Sequence, residues 1–211
     1  IPVVGAGGTV YIRPDGSVDP PGAPILNVGN AFYILWADIY DSIVVERDNI
    51  VLDGAGYTVQ GTGARAGINL TSRSNVVVKN TKVTGFQWGI ILHHSGNCTV
   101  SGNNATNNRF GINLWHSSNN SIYHNNFIDN TYQVDNRESI NTWDDGYPSG
   151  GNYWDDYTGK DRNRDGIGDR PRVIDGNNTD KYPLMSPWSP TWSPKTPVEA
   201  PLWTRWWFWT I

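Results

Sequence analysis

The stretch GINLTSRSNVVVKNTKVTGFQW, residues 67–88, is followed without a gap by GIILHHSGNCTVSGNNATNNRF, residues 89–110, and GINLWHSSNNSIYHNNFIDNTY, residues 111–132. Gln133 and Val134 then begin a fourth line of the same kind. A fixed period of 22 residues is the mark of a repeat architecture. Ile68, Ile90, Ile112 and Val134 align, and so do Leu70, Leu92 and Leu114 two places on. Val78, Val100 and Ile122 form a third apolar column, and Val83, Ala105 and Phe127 a fourth. Apolar residues two apart with polar residues between them read as strands. Gly, Asn and Ser between the strands are turn formers. A unit of this size, with two or three short strands and no helical spacing, is one rung of a parallel β-helix, set about 4.8 Å from the next.

Asparagine carries the same period. Asn75, Asn97, Asn119 and Asn141 fall at 22-residue steps, as do the pairs Asn103 and Asn125, and Asn108 and Asn130. Stacked carboxamides can hydrogen-bond from rung to rung, and Asn tolerates the left-handed backbone of a corner.

The spacing of Ile122 to Val134, I-x-x-N-x-x-x-x-N with an apolar restart, resembles the NosD-like, or CASH-type, right-handed β-helix family, and its archaeal cell-surface members in particular. IVVERDNIVLDGAGYTVQGTG, residues 43–63, and GNYWDDYTGKDRNRDGIGDRPRVIDGNNTDKYPLM, residues 151–185, are similar to it as well. The likeness spans residues 9 to 187. It implies an all-β, right-handed, single-stranded parallel β-helix at an extracellular or cell-surface location. It carries little about activity, because the family takes its name from a copper-site accessory protein.

The 211 residues suffice for one such solenoid. A net charge of −4 with no basic stripe argues against nucleic acid as a partner. The lone Cys98 excludes an internal disulfide. A small extracellular fold without disulfides needs another staple, and a metal is a common one. No signal peptide or complete membrane helix is legible between Ile1 and Ile211.

The chain divides into N-terminal strands and cap (1–48), rungs (49–146), a C-terminal cap (147–187) and a tail (188–211). Residues 9–13, 31–36 and 42–46 read as strands covering the open N-terminal end. Asn49–Gly54 repeats Asn75–Asn80 at 26 residues, so the first full rung carries about four extra residues, placed near Gly61–Gly63. The tail is dense in Pro and Trp, ending Trp206-Trp207-Phe208-Trp209. Three placements are open for it: beside a membrane anchor beyond the C-terminus, on a neighbouring copy in an oligomer or filament joined through solenoid ends, or on its own cap.

Asp161-Arg162-Asn163-Arg164-Asp165-Gly166-Ile167-Gly168-Asp169 has Asp, Asn and Asp at positions 1, 3 and 5 and Gly at 6, the start of an EF-hand-type loop. The Ile167 carbonyl stands at position 7 and Asp169 at 9, while Arg172 occupies position 12 where a clamping Glu belongs. The expectation is a structural Ca²⁺ that locks the cap, with a hydrated Asp-rich turn as the alternative. His94 and His116 share a column with Ser72 and Glu138, which reads as surface residues sooner than as a copper site. Trp88, Trp115 and Trp143 are candidates for a sugar-stacking face. Of five glycosylation sequons, Asn69, Asn104 and Asn177 are ranked ahead of Asn97 and Asn119, which are assigned to the ladder. The carboxylates Asp129, Asp135 and Glu138 are scattered among Arg109, Arg137 and His124, with no stacked acidic pair. The expected function is therefore a non-catalytic structural or interaction protein, self-assembling or glycan-binding. A polysaccharide-active lyase, hydrolase or epimerase is the alternative.

Overall fold

The computed structural model describes residues 8–191 and 193. Among the described residues there are strands and turns and no helix. The N-terminal end is built from β1 (Val10–Ile12), β2 (Val18–Asp19), β3 (Ile25–Val28) and β4 (Phe32–Leu35). Three-strand coils follow: β5 (Ile43–Val45), β6 (Val51–Asp53) and β7 (Thr58–Gln60), then β8 (Ala66–Asn69), β9 (Val77–Lys79) and β10 (Lys82–Thr84). Next come β11 (Trp88–His93), β12 (Thr99–Ser101) and β13 (Asn104–Thr106), and β14 (Phe110–Trp115), β15 (Ser121–Tyr123) and β16 (Asn126–Ile128). The last coil holds β17 (Tyr132–Arg137), a bridge at Thr142 and β18 (Tyr153–Trp154), and the hairpin of β19 (Arg172–Asp175) and β20 (Asn178–Asp180) closes the end.

Each coil gives one strand to each of three sheets. The first runs β2-β1-β5-β8-β11-β14-β17, the second β3-β4-β6-β9-β12-β15 and the third β7-β10-β13-β16-β18. Pairing between coils is parallel, and β2 and β3 fold back antiparallel over the N-terminal edges. This is a parallel β-helix with the 22-residue step read from the sequence. Parallel stacking begins with β1 against β5, ahead of residue 49. Val51 pairs with Val77, Thr58 with Lys82 and Ala66 with Trp88, so the extra residues of that coil are split between the Gly54–Tyr57 and Gly61–Arg65 turns.

The core is three columns of side chains. Val10, Ile43, Ile68, Ile90 and Ile112 stack in the first sheet, Tyr33, Leu52, Val78, Val100 and Ile122 in the second, and Val59, Val83, Ala105, Phe127 and Trp154 in the third. All are buried. Each such side chain contributes about 1.5–3 kcal/mol on leaving water. Gly67, Gly89 and Gly111 open the repeats because a Cβ there would lie 2.4–2.8 Å from neighbouring backbone or core atoms. The corner admits only a hydrogen.

Buried polar columns run beside the apolar ones. Asn103 Oδ1 accepts the Thr81 N–H, Asn125 Oδ1 accepts the Asn103 N–H and carboxamide, and Asn152 Oδ1 accepts those of Asn125. Each Nδ2 also donates back to a main-chain carbonyl, Val78 for Asn103 and Val100 for Asn125. A second column runs Cys98, Asn120, Asn141, Asn178, a third Phe86, Asn108, Asn130, and a fourth Arg73, Ser95, Ser117, Ser139. Two expected ladder members, Asn97 and Asn119, stand outside these columns. With Asn75 they face solvent at left-handed corners, φ 54° to 63°, and the next residue, Cys98 or Asn120, enters the ladder. Asn141 belongs with Asn120 because the last coil is one residue shorter there. At that slip the buried Asn141 Nδ2 has no partner.

β20 ends two ladders at once. Asn178 Oδ1 accepts from the Asn141 N–H and Trp143 Nε1. Asp180 Oδ2 accepts from the Asn152 N–H at 2.8 Å and Trp154 Nε1 at 2.8 Å, and its Oδ1 accepts from the Tyr182 N–H. The last place in a ladder needs only acceptors, which is what a carboxylate offers. Asp180 is 0 % exposed. Burial, with the negative Asp144 adding a little, pushes its carboxyl up to about 7 against the pull of those donors.

Residues 188–191 start the tail. Trp188 exchanges two hydrogen bonds with the Asn126 carboxamide and stacks on His124 at 5.3 Å. Trp203 and Trp206–Trp209, for which the three placements were open, lie outside the described residues.

Asn125→Ala is expected to lower stability by about 3–5 kcal/mol, because several buried donors and acceptors lose partners worth about 1–3 kcal/mol each. Asn75→Gly, at an exposed left-handed corner that glycine adopts freely, should cost under about 1 kcal/mol. Denaturant midpoints for the two variants check this. The carboxyl of Asp180 ionises near 3.8 when unfolded and about 7 when folded, so its contribution is complete below pH 3.8 and is lost as pH rises to about 7. Unfolding curves across that window should show stability falling, and Asp180→Asn should flatten the slope.

Candidate functional site

The outer face of the first sheet begins with an aromatic ridge. The last residue of each 22-residue line, Trp88, Phe110 and Tyr132, occupies one register position on β11, β14 and β17. The residue that follows each of them, Gly89, Gly111 or Gln133, faces inward, and the ring faces outward at the corner. Phe110 and Tyr132 stack at 5.1 Å and 19°. The Arg109 guanidinium lies 5.4 Å from the Phe110 ring centre.

Beside this ridge, along the corner between the third and first sheets, runs a groove. Gly61, Gly63 and Gly85 line it, Gly63 and Gly85 at φ +96° and +76°, with Phe86, Arg109 and Thr131 beside them. Three cavities of about 270, 520 and 690 Å³ follow one another along this corner. The first two share Gly61, Thr62 and Phe86, and the last two share Asp129 and Thr131, so the three adjoin along the coils.

The largest cavity lies at the C-terminal end, between Tyr132 on the ridge and Val173 on β19. Asp155 is held there by the Asp129 N–H and by Gln133 Nε2, each at 2.5 Å. Arg172 pairs with Asp156 at 2.7 Å and stacks over Trp154 at 4.6 Å, and its buried Nε has no partner among the described residues. The middle of the sheet face is a closed polar chain. His93 Nε2 meets Asn113 Oδ1 at 2.5 Å, Asn113 Nδ2 donates to Asp135 Oδ2 at 2.9 Å, and Arg137 Nε donates to Asp135 Oδ1 at 3.0 Å. These groups satisfy one another, which leaves the ridge and groove as the open surface.

The three tryptophans do not form one face. Trp88 is on the ridge and Trp115 beyond the polar chain, 43 % exposed, while Trp143 is wholly buried and bonds Asn178. Phe110 and Tyr132, which the sequence reading passed over, were marked by the aromatic that closes each repeat line.

Asp161 Oδ1 and Oδ2 accept the Asp165 and Gly166 N–H groups, Asp165 Oδ1 accepts that of Ile167, and Asp169 Oδ2 that of Arg162. Asn163 Nδ2 donates to Asp165 Oδ2. The loop is fixed to the solenoid end through Met185 N–H on the Gly166 carbonyl and the bridge from Ile167 to Leu184. Of the favoured sequons, Asn177 is exposed, Asn69 is half-buried with its Oδ1 bonded by Thr71, and Asn104 is tied to Asn126 below Trp188. Asn97 and Asn119 are exposed.

Among the described residues no three His, Cys, Asp or Glu side chains come together to hold a metal ion. Every His, Cys and Met of the chain is described. His94 and His116 stack face to face at 5.2 Å and 15°, so their nitrogens run alongside each other without converging, and His116 is joined to Glu138. His93 is bonded to Asn113, His124 lies against Trp188, and Cys98 is buried, its thiol pushed up by desolvation. This donor set does not fit a copper site, which calls for converging soft ligands. Calcium is judged differently, since it also takes Asn and main-chain carbonyl oxygens.

No curated protein and no solved structure matches the chain. A family model described as periplasmic copper-binding protein (NosD) matches residues 40–159, more than half of the sequence. With the parallel solenoid that those residues form, the chain belongs to the NosD family.

Proposed function

We propose that this is an extracytoplasmic β-helix that binds glycans without turning them over, in the groove beside Trp88, Phe110 and Tyr132. The observation that carries the reading is the aromatic ridge at rung spacing next to a glycine-lined channel. Flat rings take the apolar faces of sugars, and a run of adjoining cavities takes a chain of them. The family's periplasmic description supports a site outside the cytoplasm. Asp129 and Asp155 in one cavity favour hydrolysis as the second reading, since glycosidases work with two carboxyl groups. Asp155, however, is already held by two N–H donors.

The C-terminal cap is proposed to hold a structural Ca²⁺ through Asp161, Asn163, Asp165, the Ile167 carbonyl and Asp169. Support comes from the order of oxygens along the loop and from Asp165, 3 % exposed with no cationic side chain among the described residues bonded to it. The loop's attachment at Leu184 would pass the stiffening to the end of the stack.

Calorimetric titration with linear gluco-, manno- and chito-hexaoses tests the glycan reading. Binding of at least one, weakened about tenfold by Phe110→Ala or Tyr132→Ala and untouched by the remote Tyr57→Ala, is the expected result, tenfold being about 1.4 kcal/mol. Binding to none of them removes the reading, and release of reducing ends moves the protein to the hydrolase alternative. For the cap, calcium at 100 times its dissociation constant should stabilise by about 2.7 kcal/mol. That gain should vanish in Asp161→Ala and Asp165→Ala. Melting curves that are the same in calcium and in chelator exclude the ion.

A further inference from the structure

The groove differs at its two ends. Toward the N-terminus it continues past Arg109, Phe86 and Thr62 to Tyr40 with no strand across it. Toward the C-terminus the first sheet stops at β17, and β19 stands beside that last strand. Val173 and Ile174 of β19 line the 690 Å³ cavity together with Tyr132 and Thr131. That volume lies in the range of small-molecule sites and suits one or two sugar rings. A chain lying over Phe110 and Tyr132 therefore runs into a wall.

Charge at the closed end is one-sided. Asp129, Asp155 and Asp156 face the cavity with a single cation, Arg172, which Asp156 already neutralises. Each carboxylate oxygen of Asp155 takes one N–H donor and keeps a lone pair, which can accept from a sugar hydroxyl. The buried Arg172 Nε offers an N–H that nothing among the described residues accepts. Carboxylated or sulfated sugars would meet like charge there.

Resting on the glycan reading above, we infer that the site is specific for chain ends: the cavity walled by Val173 receives the terminal residue of a linear neutral or amino-sugar polymer, and the following residues lie along the groove toward Arg109. The interior of a polymer cannot pass β19. Affinity then follows the number of chain ends and not the mass of sugar.

The test titrates the protein with neutral and chito-hexaoses, with sheared soluble polymers of the same linkages and known mean length, and with oligogalacturonate of six units. Expected is equal affinity for hexaose and polymer when concentration is counted in chain ends, and no measurable binding of oligogalacturonate. Val173→Trp should weaken hexaose binding at least tenfold with an unchanged melting temperature, because Val173 is 70 % exposed and the new ring fills the cavity. Asp155→Asn should weaken it as well. Polymer binding that scales with sugar units, preference for the uronate, or full affinity in Val173→Trp each overturns end specificity while the glycan reading stands. Binding of no probe by the parent protein removes both.

Discussion

The carboxamide ladder is the constraint on which the rest of this molecule depends. A coil of three short strands turns three times in about 22 residues, and each turn leaves main-chain amides pointing into the interior. Asn103, Asn125 and Asn152 meet that need by accepting the amide of the coil before and returning a donor to its carbonyl. Buried polar groups are tolerable only when satisfied. The serine column and the two further asparagine columns do the same at the other turns. Because the ladders lock every coil in register, residues 22 apart become neighbours on the outside as well. The aromatic ridge and the glycine-lined groove are the exterior image of that inner lock.

Much of this was legible in the sequence. The apolar columns at Ile68, Val78 and Val83 fixed strands, period and core, because parallel stacking maps a repeat directly onto contacts. The Asn103 and Asn108 columns were readable for the same reason. The assignment slipped at Asn97 and Asn119, each followed by the residue that enters the ladder, Cys98 after the first and a second asparagine, Asn120, after the other. A single sequence does not say which of a pair turns inward, and the deciding fact is which of them takes the left-handed φ. The ridge was visible in the aromatic that ends each line, but weighing only tryptophans hid it.

The rest was illegible because it depends on long-range closure. Nothing near Asp180 marks it as the terminus of a ladder that starts at Thr81, and nothing near Val173 says that it faces Tyr132. Residues 147–184 have no period, so no column argument reaches them. The family's copper description, by contrast, was already disfavoured by the sequence, with four His, one Cys and one Met. That His94 and His116 stack without converging, while His93 and His124 are taken up by other partners, is a property of the coil geometry.

The ladders have a direction. Every carboxamide oxygen accepts from the N-terminal side, so the first member need only donate, as Thr81 does, and the last need only accept, as Asp180 does. Interior coils are therefore interchangeable, and the two ends are not. A gene that gained or lost one 22-residue line would leave both termini chemically complete. It would lengthen or shorten the groove by one rung, about 4.8 Å. Groove length is thus a quantity that evolution can adjust in whole steps without redesigning the fold, while the identity of the closed end stays with the cap.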